Sequence, residues 1–208
     1  MLKDFKGFLQ TDGYSAYNNL KDPSDVTLLA CMAHARRKFD QAKDNDRARA
    51  DEALTMFARL YRIERQASEQ GLDADARYTL RQQEAVPQLA ELKAWLEKNK
   101  DQVVPKSAMG QAIHYTLSLW PRLVRYVDQG RFEIDNNLIE NTIRPLALGR
   151  KNYLFAGSHQ AAQQAAIVYS LLGTCKLNNI NPQAWLNDTL TKLPDWPANR
   201  LHELLPAS

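Results

Sequence analysis

The stretch from about His34 to Val127 most constrains the fold, because its apolar residues recur at helical spacing. In Asp51–Gln70, Met56, Leu60 and Ile63 line one face, and Leu54, Phe57 and Tyr61 widen it. Ala74–Asn99 predicts a second helix with Leu89, Leu92 and Leu96 on one stripe, kinked or broken near Pro87. Pro105–Val127 predicts a third, with Met109, Ile113, Trp120, Leu123 and Val127 apolar, a bend at Pro121, and Gln129–Gly130 closing it. Strand signals concentrate in the first 32 residues. Phe5–Thr11 is short and partly alternating and ends at Asp12–Gly13, and Val26–Met32 is a near-continuous apolar run, as in a strand covered on both faces. Between them, Ser15–Leu20 can form a short helix and Pro23–Ser24–Asp25 a turn. The pattern predicts an α+β chain that is mainly helical.

Beyond the helical middle, Arg131–Ile134 reads as extended. Asp135 can cap a helix over Asn136–Arg144 that ends at Pro145 and turns Leu138, Ile139 and Ile143 to the core. Ala161–Leu177 is a strongly apolar helix stopped by Asn178–Asn179, and Asn181–Pro182 starts another. The Pro194–Pro197 turn leads to a short terminal helix. With 208 residues, 44% apolar and 25% charged, the composition excludes a disordered chain and supplies a real core. The first residues, MLKDFKGF, lack the apolar run of a signal peptide. The uncharged stretch Tyr153–Cys175 carries His159, Gln160, Gln163 and Gln164 and does not read as a membrane span. Two cysteines without a secretion signal point to a reducing, cytoplasmic compartment and no disulfide framework.

The net charge of +3 says less than its distribution. Arg36, Arg37 and Lys38 fall in an acid-free window between Val26 and Phe39, and Arg144, Arg150, Lys151 and Lys176 in another between Asn141 and Asn187. Such windows can follow a phosphate backbone, or can simply be solvated helix faces. Asp12, where a strand meets a Gly turn, suits a metal-binding carboxylate, although Asp before Gly is also a common turn. In the helix after Asp135, Asn137, Glu140, Asn141 and Arg144 share one side. They form either a surface ion pair with amides or a metal-binding Glu140 flanked by groups that hold a phosphodiester. Cys31 and His34 make a C-x-x-H step into the basic run. No other histidine has ligand spacing, so a buried Cys beside a supporting His is expected and a structural zinc site is not. No phosphate-binding G-x-x-x-x-G-K-S/T loop, G-x-S-x-G or H-E-x-x-H occurs. Metal-dependent phosphoryl chemistry, or no chemistry, remains.

The strings LQTDGYSAYNNL, CMAHARRKF, GRFEIDNNLIENTIRPLALGRKNYLFAGS and AAIVYSLLGTCKLNNINPQAWL resemble transposases of the insertion sequence 66 family, over nearly the whole chain. The resemblance implies a ribonuclease-H-like core with an Asp-Asp-Glu triad and Mg²⁺ or Mn²⁺. By motif, Asp12 corresponds to the second Asp and Glu140 to the Glu, with Cys31 and His34 as supporting residues. Arg36, Arg37, Asn137, Asn141, Arg144, Arg150 and Lys151 would contact DNA, at transposon ends and target. Residues 1–164 then form a partial catalytic core with a helical insertion over about 40–128, and 165–208 a C-terminal helical element. The family's first Asp lies upstream of the QTDGY motif, where this chain has only Asp4. The expectation is an incomplete core, binding metal weakly and inactive alone, or completed by a polypeptide that supplies the missing strands. The alternative is a non-catalytic DNA- or transposase-binding remnant.

Overall fold

The computed structural model describes residues 5–13, 17, 26–153 and 155–206. Its elements are β1 (Gly7–Thr11), β2 (Val26–Ala30), α1 (Met32–Gln41), α2 (Arg47–Glu69), α3 (Ala74–Leu80), α4 (Val86–Lys100), α5 (Ala108–Leu123), α6 (Asn137–Tyr153), α7 (His159–Leu177) and α8 (Pro182–Lys192). The described chain is thus α+β and mainly helical, with one small sheet. It divides into two compact units, Met1–Leu138 and Ile139–Ser208.

In the N-terminal unit, β1 and β2 run parallel, with Gly7 opposite Val26 and Thr11 opposite Ala30. The apolar run of β2 stops at Ala30, and Met32, expected to end the strand, opens α1 instead. The expected helix over Ser15–Leu20 and the turn at Pro23–Asp25 lie outside the described residues, apart from Tyr17. The core is built by α1, α2, α4 and α5. Phe39 packs on Phe57 with ring centres 5.6 Å apart and on Trp95 at 6.2 Å. Around them Leu60, Leu92, Leu96, Met109, Ile113 and Leu123 are essentially inaccessible. Each such side chain contributes about 1.5–3 kcal/mol by leaving water.

The break expected near Pro87 takes a specific form. Pro87 lies in the first turn of α4, where its missing N–H costs little. The five residues before α4, Arg81–Ala85, form a wide π turn in which the Val86 N–H donates to the Arg81 carbonyl. Pro121 is carried inside α5, which tightens into a 3₁₀ segment over Val124–Asp128.

Three expectations fail beyond this point. Arg131–Ile134 is not extended: it is a bent segment whose course is set by long-range partners. Gln10 Nε2 donates to the Glu133 carbonyl at 2.9 Å, and the Met32 N–H donates to the Ile134 carbonyl at 3.1 Å. Nor does α6 end at Pro145. It runs on to Tyr153 with Pro145 inside it, because on an exposed helix water can take the carbonyl that proline leaves unpaired. Its apolar residues do not turn inward either, for Leu138, Ile139 and Ile143 are 70%, 58% and 53% exposed.

The C-terminal unit begins with most of α6 and continues through α7 and α8. Ser158 caps α7, and Asn179, in the left-handed region at φ 57°, follows its end, as the Asn178–Asn179 stop predicts. Asn181 caps α8 by accepting from the N–H groups of Gln183 and Ala184. The tail folds back on these helices. Trp185 Nε1 donates to the Leu204 carbonyl at 3.0 Å and Asn178 Nδ2 to the Pro206 carbonyl at 3.0 Å, with Cys175 buried.

Candidate active site

Parallel register sets the geometry. Because Thr11 pairs with Ala30, the residues that follow, Asp12 and Cys31, leave the sheet at the same, C-terminal edge. In open parallel sheets this is the edge that ligands use. Asp12 is exposed there. Its carbonyl accepts from Tyr115 Oη of α5 at 2.8 Å, and Gly13 after it adopts φ +86°, a conformation that favours glycine.

Cys31 is 1% exposed, and the Asn136 N–H points at its Sγ from 3.5 Å. Both cysteines of the chain are free thiols. Asp135, the next residue back along that loop, is the hub of the second half of the edge. Its Oδ2 accepts from Tyr61 Oη of α2 at 2.9 Å and from Asn137 Nδ2 at 2.8 Å, while Oδ1 accepts the Asn137 N–H at 3.0 Å. The Asp135 side chain therefore does steer the start of the helix, though α6 begins at Asn137.

Ionisation at this edge is biased one way. Burial pushes the Cys31 thiol up, with the Asp135 charge adding to it and the Asn136 N–H opposing. Burial, then the Asp135 charge and hydrogen bond, pushes the Tyr61 phenol well above its ordinary range. Burial, followed by the charge of Asp12, raises Tyr115. All three groups are neutral in the folded state and lose their protons more readily once unfolded. Their contribution to stability is therefore complete below the unfolded values, about 8.5 for a thiol and 10 for a phenol, and is lost as pH rises through the raised folded values. The urea midpoint is expected to hold steady to about pH 8 and to fall progressively above about pH 9. A midpoint unchanged to about pH 10.5 would contradict this.

The other predicted residues distribute as follows. His34 is half-buried on α1, and Arg36 and Arg37 are exposed on the same helix. Lys38, beside them, places its ammonium 5.7 Å from the centre of the Tyr115 ring. Asn137 is held by Asp135 at the end of the N-terminal unit. In the C-terminal unit, Glu140 is half-buried, and Asn141, Arg144, Arg150 and Lys151 are exposed on α6. Because α6 continues past Pro145, Lys151 lies seven residues beyond Arg144 and so on the same side, whereas Arg150 does not. Asp12 and Glu140 thus belong to different units of the chain. Among the described residues, no group of three or more His, Cys, Asp and Glu side chains could hold a metal ion.

Sequence reasoning missed Tyr61, Tyr115 and Arg81. Tyr61 reads as part of the apolar face of α2, and only its hydroxyl separates it from a core phenylalanine. Arg81 carried a usable signal: it begins the stripe Arg81, Ala85, Leu89, Leu92 and Leu96, every member of which is buried. A cation on an apolar stripe requires a buried acid, and Glu64 lies on α2 between Leu60 and Ala67, which are also buried.

The class of protein follows from comparison of the whole chain. Residues 1–164 match the family described as Transposase IS66 family, and residues 170–207 match the IS66 C-terminal element. The chain belongs to the IS66 transposase family. It is similar to uncharacterized protein y4hP of Sinorhizobium fredii, 36% identical over 99% of this chain and 40% of that protein. It is also similar to uncharacterized protein y4qI of the same organism, 40% identical over 99% of this chain and 39% of that protein. A shorter likeness, 43% identity over 24% of this chain, links it to uncharacterized protein YuaK of Escherichia coli and covers 52% of that protein. The chain spans about 40% of the length of the Sinorhizobium relatives. No solved structure matches it, and no helix among the described residues is long and apolar enough to cross a membrane.

Proposed function

We propose that this chain is part of the catalytic region of a DNA transposase, with a ribonuclease-H-like core in which Asp12 and Glu140 are metal-binding carboxylates. The observation that carries the reading is the placement of Asp12 just beyond the C-terminal end of a parallel strand, within a match to the transposase family that covers residues 1–164. Carboxylate oxygens suit Mg²⁺ or Mn²⁺. Cys31, buried and protonated, suits neither and serves packing. Such ions, when bound, supply activation of a water or a DNA 3′-hydroxyl and stabilise the leaving oxygen. Asp12 and Glu140 would hold them. Arg144, Arg150 and Lys151, with Asn137 and Asn141, would hold phosphates of transposon-end and target DNA, and Arg36 and Arg37 would extend that contact along α1. A second polypeptide carrying a strand that pairs beside β1 would extend the sheet formed by β1 and β2.

The exposure of Arg36 and Arg37 on α1, and of Arg144, Arg150 and Lys151 on α6, favours a second reading, a non-catalytic DNA- or transposase-binding protein. Purified chain is expected to bind duplex DNA with a steep salt dependence and to bind Mn²⁺ weakly, and Asp12→Asn and Glu140→Gln should each abolish the Mn²⁺ binding. Mn²⁺ binding unaffected by either substitution would overturn the catalytic reading. Salt-dependent DNA binding that survives both, with no Mn²⁺ binding in the parent, would establish the second. Joining of element-end DNA by the chain alone in Mg²⁺, lost in Glu140→Gln, would show that the catalytic reading holds and that no partner is needed.

A further inference from the structure

We propose that the helical insertion acts as a clamp on the candidate site, with Tyr115 of α5 and Tyr61 of α2 as positioning residues. The proposal rests on Asp12 being a metal ligand. Asp12 directly follows the last paired residue of β1, Thr11. Its backbone is contacted from α5. Tyr115 Oη donates to the Asp12 carbonyl at 2.8 Å. One turn further along α5, Leu119 lies so close that a Cβ on Gly13 would meet its Cδ1 at 2.7 Å. The turn is pressed against α5 at two successive points of one helix face, and the Lys38 ammonium lies over the Tyr115 ring.

Tyr61 does the same for the other loop of this edge. It occupies the apolar face of α2 beside Phe57 and Leu60, where a phenylalanine would pack as well, yet its hydroxyl donates to Asp135 Oδ2 at 2.9 Å. The remaining lone pairs of Asp135 take the N–H and side-chain amide of Asn137, the first residue of α6. Two phenols from different helices of the insertion therefore end on the two loops that flank Cys31. Rigid elements holding functional side chains by hydrogen bonds one step removed from the chemistry is a recurrent way of fixing ligand direction.

The test uses Tyr115→Phe and Tyr61→Phe in the full chain, with Mn²⁺ as probe. Free Mn²⁺ is followed by electron paramagnetic resonance, local opening by amide hydrogen exchange, and global stability by thermal melting. Tyr115→Phe is expected to weaken Mn²⁺ binding about tenfold and to speed exchange at Asp12–Gly13, leaving exchange in α2 and α4 unchanged. Tyr61→Phe is expected to speed exchange at Asn136–Leu138 alone. Asp12→Asn separates the two levels of inference. If it leaves Mn²⁺ binding intact, Asp12 is not a ligand, and locally faster exchange in Tyr115→Phe still upholds the clamp. Unchanged exchange at Asp12–Gly13 in Tyr115→Phe overturns the clamp, as does faster exchange spread evenly over the N-terminal unit, which would mean that the tyrosine only stabilises the fold.

Discussion

Replacing Arg81 with methionine is expected to destabilise the N-terminal unit by about 3–5 kcal/mol, the usual cost of removing one partner of a buried charge pair. Arg81 is wholly buried, and all five of its donors are used. Nε and one terminal nitrogen reach the Glu64 carboxylate at 2.9 and 2.7 Å, and the others reach the carbonyls of Tyr126, Gln129 and Phe132 at 2.8, 2.7 and 2.8 Å. Methionine fills similar volume but leaves a carboxylate that is 12% exposed without its counter-charge and removes a donor from three carbonyls at once. Domains of this size are stable by only about 5–15 kcal/mol, so the loss is a large fraction of the whole. Lysine is no remedy, because one ammonium cannot reproduce the planar fork. Adding Glu64→Leu to Arg81→Met is expected to recover part of the loss, since the stranded charge is then gone. Urea unfolding of the two variants gives the comparison. A single variant within about 1 kcal/mol of the parent would show that the guanidinium is not holding this segment.

The second large effect is steric. In Gly130→Ala the added Cβ would collide with the Ala74 carbonyl oxygen and meet its carbon at 2.6 Å. Those are backbone atoms at the start of α3, so no side chain can swing aside, and the segment leaving the 3₁₀ turn must move. A loss of about 3 kcal/mol is expected, at the upper end for overpacking. Gly173→Ala in α7 is the control, because nothing lies within 4 Å of its Cβ position. There the higher helix propensity of alanine should leave the protein unchanged or more stable by up to about 1 kcal/mol. Thermal melts of the two variants read out the contrast. Equal melting temperatures would mean that the close approach at Gly130 is easily relieved.

Much of the architecture could be read from residue pattern, for identifiable reasons. The stripes of α2 and α4, the capping Asn181 and the Asn178–Asn179 stop are local signals, set by neighbours within a turn or two. The misses depend on distant partners. Arg131–Ile134 looks extended until Arg81, Gln10 and Met32 draw its carbonyls in three directions. Pro145 looks like a helix end until α6 proves exposed enough for water to replace the lost donor. For the candidate site the sequence offers single residues only, Asp12 and Glu140 through the resemblance of their motifs and Arg36 and Arg37 through charge. Its supports are not legible, because a tyrosine hydroxyl that grips a loop 74 or 103 residues away leaves no mark on its own helix.

The wide turn at Arg81–Ala85 has an evolutionary corollary. Each residue of an α-helix advances the chain by about 100°, so losing one from the body of α4 would swing everything before it around the axis and carry Arg81 away from Glu64. A π turn already holds one residue more than an α turn needs. Dropping that extra residue would straighten the rod while both flanks keep their facing, which makes this loosely wound spot a place where related chains can differ in length without losing the buried ion pair.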